Sequence, residues 1–120
     1  LGVWWNENND GLPLPLGGNV VRRDLGEGVC EKISEWVRMS IQHSINQPDE
    51  ALKFALQWGR GIDEDTNSKF VKMYVNDRTI DYGPDGRASI RKFLADGIKI
   101  GMIDSEFDPK SLNFIGARCD

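Results

Sequence analysis

Apolar residues recur every three or four positions along several stretches of the chain, and this spacing predicts amphipathic helices. The longest stretch runs from about Glu27 to Asn46 and carries one apolar stripe, formed by Val29, Ile33, Trp36, Val37, Ile41 and Ile45. A second helix is predicted from Pro48, because proline fits the first turn of a helix, where its missing N–H group costs nothing. Gly59 and Gly61 follow its last apolar position and predict its end.

Two more helices are predicted in the second half of the chain. The first runs from Asp63 to about Val75, and the acidic residues in its first turn suit the helix dipole. The second runs from Pro84 to about Lys99, with a predicted core of Ala88, Ile90, Phe93, Leu94 and Ile98. Gly101 is expected to end it, and residues 79–83 are predicted to form an extended link between the two helices.

A segment without helical spacing lies between Gly11 and Arg23, where the sequence is GLPLPLGGNVVRR. Pro13 and Pro15 fix their own φ angles and push the residues before them towards extended geometry, so this part is predicted to be stiff. The glycines at 17 and 18 then permit either unusual φ angles or a close approach by another group. We interpret the segment as crossing the floor of a cleft, with the glycines as a backbone-lined edge of a small-molecule pocket, and simple turn chemistry at the glycines is the alternative.

One strand is predicted over residues 19–23, and Leu112–Ile115 is the candidate for a last strand. A single strand cannot satisfy its own backbone N–H and C=O groups, so we expect partner strands from polypeptide outside this sequence. The sequence also begins with Leu1 rather than Met. The predicted fold class is therefore α/β, with residues 1–120 forming the mostly helical C-terminal part of a larger protein.

Composition excludes several classes of function. Hydrophobic residues make up 39% and charged residues 28% of the 120 residues, which is typical of a soluble globular protein. The net charge of −4 and the absence of a basic block argue against a nucleic-acid surface. No apolar run approaches the ~20 residues of a membrane span, and no secretory signal is visible. Cys30 and Cys119 are expected to be free thiols in a reducing compartment, because their separation suits neither a disulfide framework nor a zinc site.

No catalytic set can be assembled from these residues. His43 is the only histidine, and we interpret it as structural because the local sequence offers no group to orient its ring as a general base. Asp63, Glu64 and Asp65 lack the spacing of a calcium loop and are explained as an acidic first helical turn. The two glycines lack the phosphate-binding patterns and precede a strand rather than a helix.

Other side chains leave alternatives open. Arg22, Arg23 and Arg87 could face an anionic ligand, although an exposed arginine is the ordinary case. The adjacent Trp4 and Trp5 are expected to divide between the core and a partner surface, and a stacking platform for an aromatic ligand is the alternative.

Several sequence blocks together resemble the C-terminal part of the 1,4-dihydroxy-6-naphthoate synthase family of the futalosine route to menaquinone. The blocks are Leu-Gly-x-Trp-Trp at 1–5, the proline–glycine segment at 11–23, Ser-Ile at 40–41, Phe-Val-Lys-Met-Tyr-Val-Asn at 70–76 and Thr-Ile-Asp-Tyr-Gly at 79–83. Any one block is weak evidence, but their order and gaps cover nearly the whole chain.

This resemblance implies the C-terminal portion of a two-lobed periplasmic-binding-protein type II fold used as a cytoplasmic enzyme. The implied reaction is cleavage of cyclic dehypoxanthine futalosine, a small-molecule substrate, to 1,4-dihydroxy-6-naphthoate, with no metal or organic cofactor. The proposed general base of the family is a histidine just upstream of the Leu-Gly-x-Trp-Trp block, a position that His43 does not match. Our candidate substrate-binding residues are Leu16, Gly17, Gly18 and Asn19, and no catalytic or metal-binding residue is assigned.

Three alternatives remain open from the sequence. Chorismate dehydratase of the same pathway shares the Tyr-Val-Asn…Thr-x-Asp pattern, but it tends to carry a more aromatic strand in place of Pro-Leu-Pro-Leu-Gly-Gly. A solute-binding protein of the same fold would bind without reacting. A purely structural helical domain would unfold cooperatively as an isolated unit. The oligomeric state cannot be predicted from these residues.

Overall fold

The computed structural model describes residues 1–58, 63, 66, 68, 69, 71 and 74–116, and every regular element with stated bounds among them is helical. The α-helices with stated bounds, in chain order, are α1 (Gly2–Asn8), α2 (Glu27–Asn46), α3 (Pro48–Leu56), α4 (Asp77–Ile80) and α5 (Gly83–Lys99). Short 3₁₀ turns lie at Arg23–Leu25 and Pro109–Ser111. The chain divides into two compact units, one formed by 1–20 with 82–120 and the other by 21–81.

Trp5 is the centre of the first unit. Its side chain is only 6% exposed, and its ring lies 5.6 Å from that of Phe93 on α5. The indole Nε1–H donates to Ser89 Oγ at 3.1 Å, and the amide of Asn9 donates to the Trp5 carbonyl at 2.8 Å. Trp4 is 60% exposed, so the prediction that one tryptophan of the pair lies in the core is confirmed, and a partner surface at Trp4 stays a prediction.

Two glycines allow the chain to leave the C-terminal end of α5 and return over it. Gly101 adopts a φ of +76°, and its N–H donates to the carbonyl of Ile98, which confirms the predicted helix end. Gly97 lies inside the helix, where glycine costs about 1 kcal/mol relative to alanine. A Cβ atom at this position would lie 2.7 Å from Ile103 Cδ1, so the return of the chain over α5 accounts for the glycine.

Helix α2 organises the second unit and contacts α3, α4 and the first 3₁₀ turn. Its bounds match the predicted ones at both ends. Cys30 is buried and free, as predicted, and its thiol lies 3.4 Å from the Arg22 carbonyl, while Cys119 lies outside the described residues.

The predicted apolar stripes are only partly buried. On α2, three isoleucines are half-buried, whereas Trp36 is 66% and Val29 is 47% exposed. On α5, Ala88 is exposed and Phe93 is 47% exposed, while the other three predicted core residues are half-buried. Helical periodicity therefore located the apolar faces correctly but did not determine how far each face is covered.

The predicted α/β class, and with it the periplasmic-binding-protein type II fold, is wrong for the described part of the chain, which contains no strand. Residues 19–22 have no regular secondary structure, Arg22 has extended φ and ψ angles, Val20 is 98% exposed, and the chain then enters the 3₁₀ turn. No hydrogen bond between backbone groups involves residues 14–21 among the described residues, so the ladder that defines a strand is missing there. Residues 112–115, the candidate for a last strand, also have no regular secondary structure.

The predicted extended link at 79–83 is only partly correct. Thr79 and Ile80 belong to helix α4, because Asn76 and Thr79 form a reciprocal capping box that starts a helix. The Asn76 amide oxygen accepts from the N–H of Arg78 at 3.0 Å, and Thr79 Oγ1 accepts from the N–H of Asn76 at 3.1 Å. Of the helix predicted over 63–75, the described residues 66, 68, 69, 71 and 74 are helical, and the N–H of Val75 donates to the Val71 carbonyl at 2.7 Å. The predicted glycine stop at 59–61 lies outside the described residues.

Candidate functional site

The predicted substrate-binding residues lie in the irregular segment that follows α1 and belong to the first unit. Leu16, Gly17, Gly18 and Asn19 are all exposed, and the Leu16 side chain is 59% exposed. Since no backbone bond involves 14–21 among the described residues, the peptide N–H groups of 17–19 are available as donors. A ligand with oxygen acceptors could therefore bind along this backbone.

One buried serine fixes the start of this segment. Ser89, in the first half of α5, is fully buried, and its hydroxyl donates to the carbonyl of Pro13 at 2.5 Å. The same oxygen accepts the hydrogen bond from Trp5. The hydroxyl thus uses both its donor and its acceptor capacity, and it joins α1, the proline segment and α5 at one point.

The two adjacent glycines have different surroundings. A Cβ atom on Gly18 would lie 3.0 Å from the Tyr82 hydroxyl, whereas a Cβ atom on Gly17 would meet nothing within 4 Å. Neither glycine has a positive φ angle. Of the two predicted reasons for glycine here, the close approach of another group therefore applies at Gly18, while Gly17 borders open space.

Tyr82 is itself held by the C-terminal part of the chain. Its ring meets the ring of Phe114 edge-on, with centroids 6.0 Å apart at 77°. The Arg91 guanidinium lies over the ring of Phe114, 4.8 Å from its centroid, and Arg91 also donates to the Leu112 carbonyl at 3.4 Å. The group that limits space at Gly18 is therefore fixed from behind by packing.

Sequence reasoning missed both side chains that fix this segment. Tyr82 carried a usable signal, because it belongs to the Thr-Ile-Asp-Tyr-Gly block. Ser89 carried none, since a serine between Ala88 and Ile90 is unremarkable inside an amphipathic helix. The segment is not assigned as a catalytic centre, because the four predicted binding residues include no acid or base.

The other candidate residues do not join this segment. His43 is exposed on α2 in the second unit. The Asp24 carboxylate accepts from Arg22 Nε at 3.0 Å, which lowers the pKa of Asp24 below its ordinary value and raises the pKa of Arg22. Asp63 Oδ1 accepts from the N–H of Thr66 at 2.9 Å, which supports the helix-start interpretation of that aspartate, while Glu64 and Asp65 lie outside the described residues.

Metal-binding clusters and membrane-spanning helices are both absent from the part of the chain that the structure describes. Its residues contain no group of three or more His, Cys, Asp or Glu side chains placed to hold a metal ion. Within the same part of the chain, none of the helices combines the length and the hydropathy that crossing a bilayer requires.

Comparison with known proteins gave consistent matches. A family profile described as "Menaquinone biosynthesis" matches residues 1–97. A Thermus thermophilus protein named 1,4-dihydroxy-6-naphthoate synthase is 35% identical over 102 residues, which are 85% of this chain and 37% of that protein. A Streptomyces coelicolor protein of the same name is 30% identical over 114 residues, which are 95% of this chain and 40% of that protein. The chain thus spans about two fifths of the length of these relatives. No solved structure gave a significant match.

Proposed function

Since the chain belongs to the menaquinone biosynthesis family, we propose that it forms part of an enzyme that produces 1,4-dihydroxy-6-naphthoate. The proposed reaction is that of a carbon–carbon lyase, which cleaves cyclic dehypoxanthine futalosine and releases the naphthoate. The observation that carries the proposal is the family match over residues 1–97, together with two relatives that both bear the synthase name.

We further propose that residues 1–120 are the C-terminal part of a longer enzyme. Two observations support this. The chain spans 37% and 40% of the two relatives. Several large apolar side chains of the second unit are also more than half exposed, among them Trp36, Met39, Phe54 and Trp58. In a folded enzyme such side chains are ordinarily covered, because burying each one contributes about 1.5–3 kcal/mol.

Within that enzyme, we assign substrate contact to Leu16, Gly17, Gly18 and Asn19. Their exposure, the unused peptide N–H groups and the fixed Pro13 carbonyl support this role. The substrate would lie along the backbone at Gly17, where no side chain stands in the way. The proton-transfer group would come from elsewhere in the enzyme, since neither these four residues nor the exposed His43 supplies it.

Genetic complementation tests the proposed reaction. The complete gene product that contains these residues should restore growth without added menaquinone to a bacterium that lacks its own naphthoate synthase but retains the rest of the futalosine route. Rescue only of a strain that lacks chorismate dehydratase would overturn the proposal in favour of the sibling enzyme. Rescue of neither strain by a well-expressed protein would favour a binding protein without catalytic activity. A cytoplasmic location, which we also propose, would be checked by cell fractionation of the same strain.

A matched pair of variants tests the proposed contact. Gly17→Leu should lower turnover at least about tenfold by occupying the space along the segment; no atom lies within 4 Å of the new Cβ position, and the circular dichroism spectrum and melting temperature of the variant check that the fold is retained. Val20→Leu, three residues further along the same exposed segment, is the control and should leave turnover unchanged. Equal turnover of the wild type and Gly17→Leu would refute substrate contact at Gly17.

A further inference from the structure

Ser89 fixes the start of the proline–glycine segment through one hydrogen bond, and Tyr82 lies against the segment further along, at Gly18. Among the described residues, the bond from its hydroxyl to the Pro13 carbonyl is the only hydrogen bond made by residues 13–21. The serine is fully buried, although it could equally have been an alanine on an amphipathic helix. Burial of a hydroxyl costs free energy unless the hydroxyl is hydrogen-bonded, so the bonds of Ser89 are needed to offset its burial.

The contact at Pro13 is well placed to control the direction of the residues after it. Pro15 favours extended geometry at Leu14, and both prolines have fixed φ angles, so the chain from Pro13 to Leu16 is a stiff connection. A fully extended chain advances about 3.3 Å per residue, so the glycines lie at most about 13–16 Å from the fixed carbonyl. A small change of direction at Pro13 would therefore become a larger displacement at Gly17.

We propose that Ser89 is a positioning residue for substrate binding, acting through the Pro13 carbonyl on the segment Leu16–Asn19. This inference rests on the proposed function, because the segment must contact substrate for its position to matter. Ser89 itself does not touch the substrate, since it is fully buried. Its expected effect is on binding of parts of the substrate that do not react, and such interactions appear in KM rather than in kcat.

The competing explanation is that Ser89 serves only to satisfy the buried indole of Trp5. Two substitutions separate these roles. Ser89→Ala removes both the bond to Pro13 and the bond from Trp5, whereas Trp5→Phe removes only the second and keeps an aromatic ring against Phe93. Ser89→Ala leaves both the Trp5 indole N–H and the Pro13 carbonyl without this partner, whereas Trp5→Phe removes only the bond that the Ser89 hydroxyl accepts, so both are expected to lower stability and the alanine variant more.

The test is steady-state kinetics of the complete gene product on cyclic dehypoxanthine futalosine. For Ser89→Ala we expect KM to rise about tenfold with kcat within about twofold of wild type, and for Trp5→Phe we expect both constants to stay near wild type. Should the alanine variant fail to fold, Ser89→Cys takes its place, because a thiol is a weak donor of similar size and should raise KM by a smaller factor.

Each outcome either supports or overturns the proposal that Ser89 positions the segment. A rise in KM confined to the Ser89 variants supports positioning. Equal changes in Ser89→Ala and Trp5→Phe, or no change in either, would overturn it and leave the enzyme assignment intact. An inactive wild-type protein would instead remove the proposed function, and this inference with it.

Discussion

A double-mutant cycle between Gly18 and Tyr82 tests the geometry of the candidate site. Gly18→Ala places a methyl group 3.0 Å from the Tyr82 hydroxyl, so the phenol must retreat by a few tenths of an ångström. Its ring is backed by Phe114, which resists this movement. Tyr82→Phe removes the oxygen and should therefore relieve the contact. Gly17→Ala is the matched control, because it introduces the same methyl group into open space.

The magnitude is set by two opposing effects. Replacing glycine with alanine at a compatible φ angle stabilises by about 0.4–1 kcal/mol, because the unfolded chain loses conformational freedom, and this applies at both positions. Overpacking costs about 1–3 kcal/mol, and the lower end is appropriate at Gly18 because a tyrosine tip can tilt. Gly18→Ala should therefore be less stable than Gly17→Ala by about 1 kcal/mol. In the Tyr82→Phe background this difference should disappear.

The assay is chemical denaturation of the four proteins of the cycle and of the Gly17→Ala control. The free energies of unfolding are compared between variants that have the same m-value, the slope of the free energy against denaturant concentration. An unchanged m-value indicates that the denatured state is unaffected. We expect a coupling of about 1 kcal/mol between positions 18 and 82, well above the ~0.3–0.5 kcal/mol within which independent sites add. Strict additivity would mean that the hydroxyl does not limit the space at Gly18, and the geometric account of this glycine would be refuted.

Three further predictions concern other parts of the chain. His43→Gln should leave turnover within about twofold, as expected for an exposed residue outside the site, and a loss of several orders of magnitude would make His43 the base. The pKa of Asp24, followed by NMR, should rise towards its ordinary value of about 3.9 in Arg22→Gln. Because the folded-state pKa is lowered, any stability from this pair is present at neutral pH and is lost as the pH falls through that pKa; an unchanged titration in the variant would contradict the pairing. Gly97→Ala should destabilise by crowding Ile103 Cδ1, and Ile103→Val, which deletes that methyl group, should relieve part of the effect, because Cγ1 still lies 3.1 Å from the new Cβ atom; equal effects in both backgrounds would contradict the close packing.

Local signals determined much of the fold from sequence. The bounds of α2 and the start of α3 agree with their predictions because spacing, a proline at the first turn and terminal glycines act within a few residues. The exposure of Trp36 could not be predicted from the same pattern, because burial depends on whatever else covers the helix. The predicted strand failed for the same reason, since an extended segment becomes a strand only when a second segment supplies the ladder.

The candidate site was predictable only in part. Pro13, Pro15 and the two glycines drew attention to the candidate segment, because their backbone properties are independent of the rest of the chain. The contacts that fix it join residues 13 and 89, and 18 and 82, which are far apart in sequence. Nothing in the neighbourhood of Ser89 indicates that its hydroxyl would reach a proline carbonyl 76 positions away.

The most direct test of the central claim is the reaction itself, followed by mass spectrometry. Purified complete gene product would be incubated with cyclic dehypoxanthine futalosine, and 1,4-dihydroxy-6-naphthoate would be quantified against a sample without enzyme. The account predicts enzyme-dependent release of the naphthoate with matching consumption of the substrate. Folded, pure protein that leaves the substrate intact would contradict it.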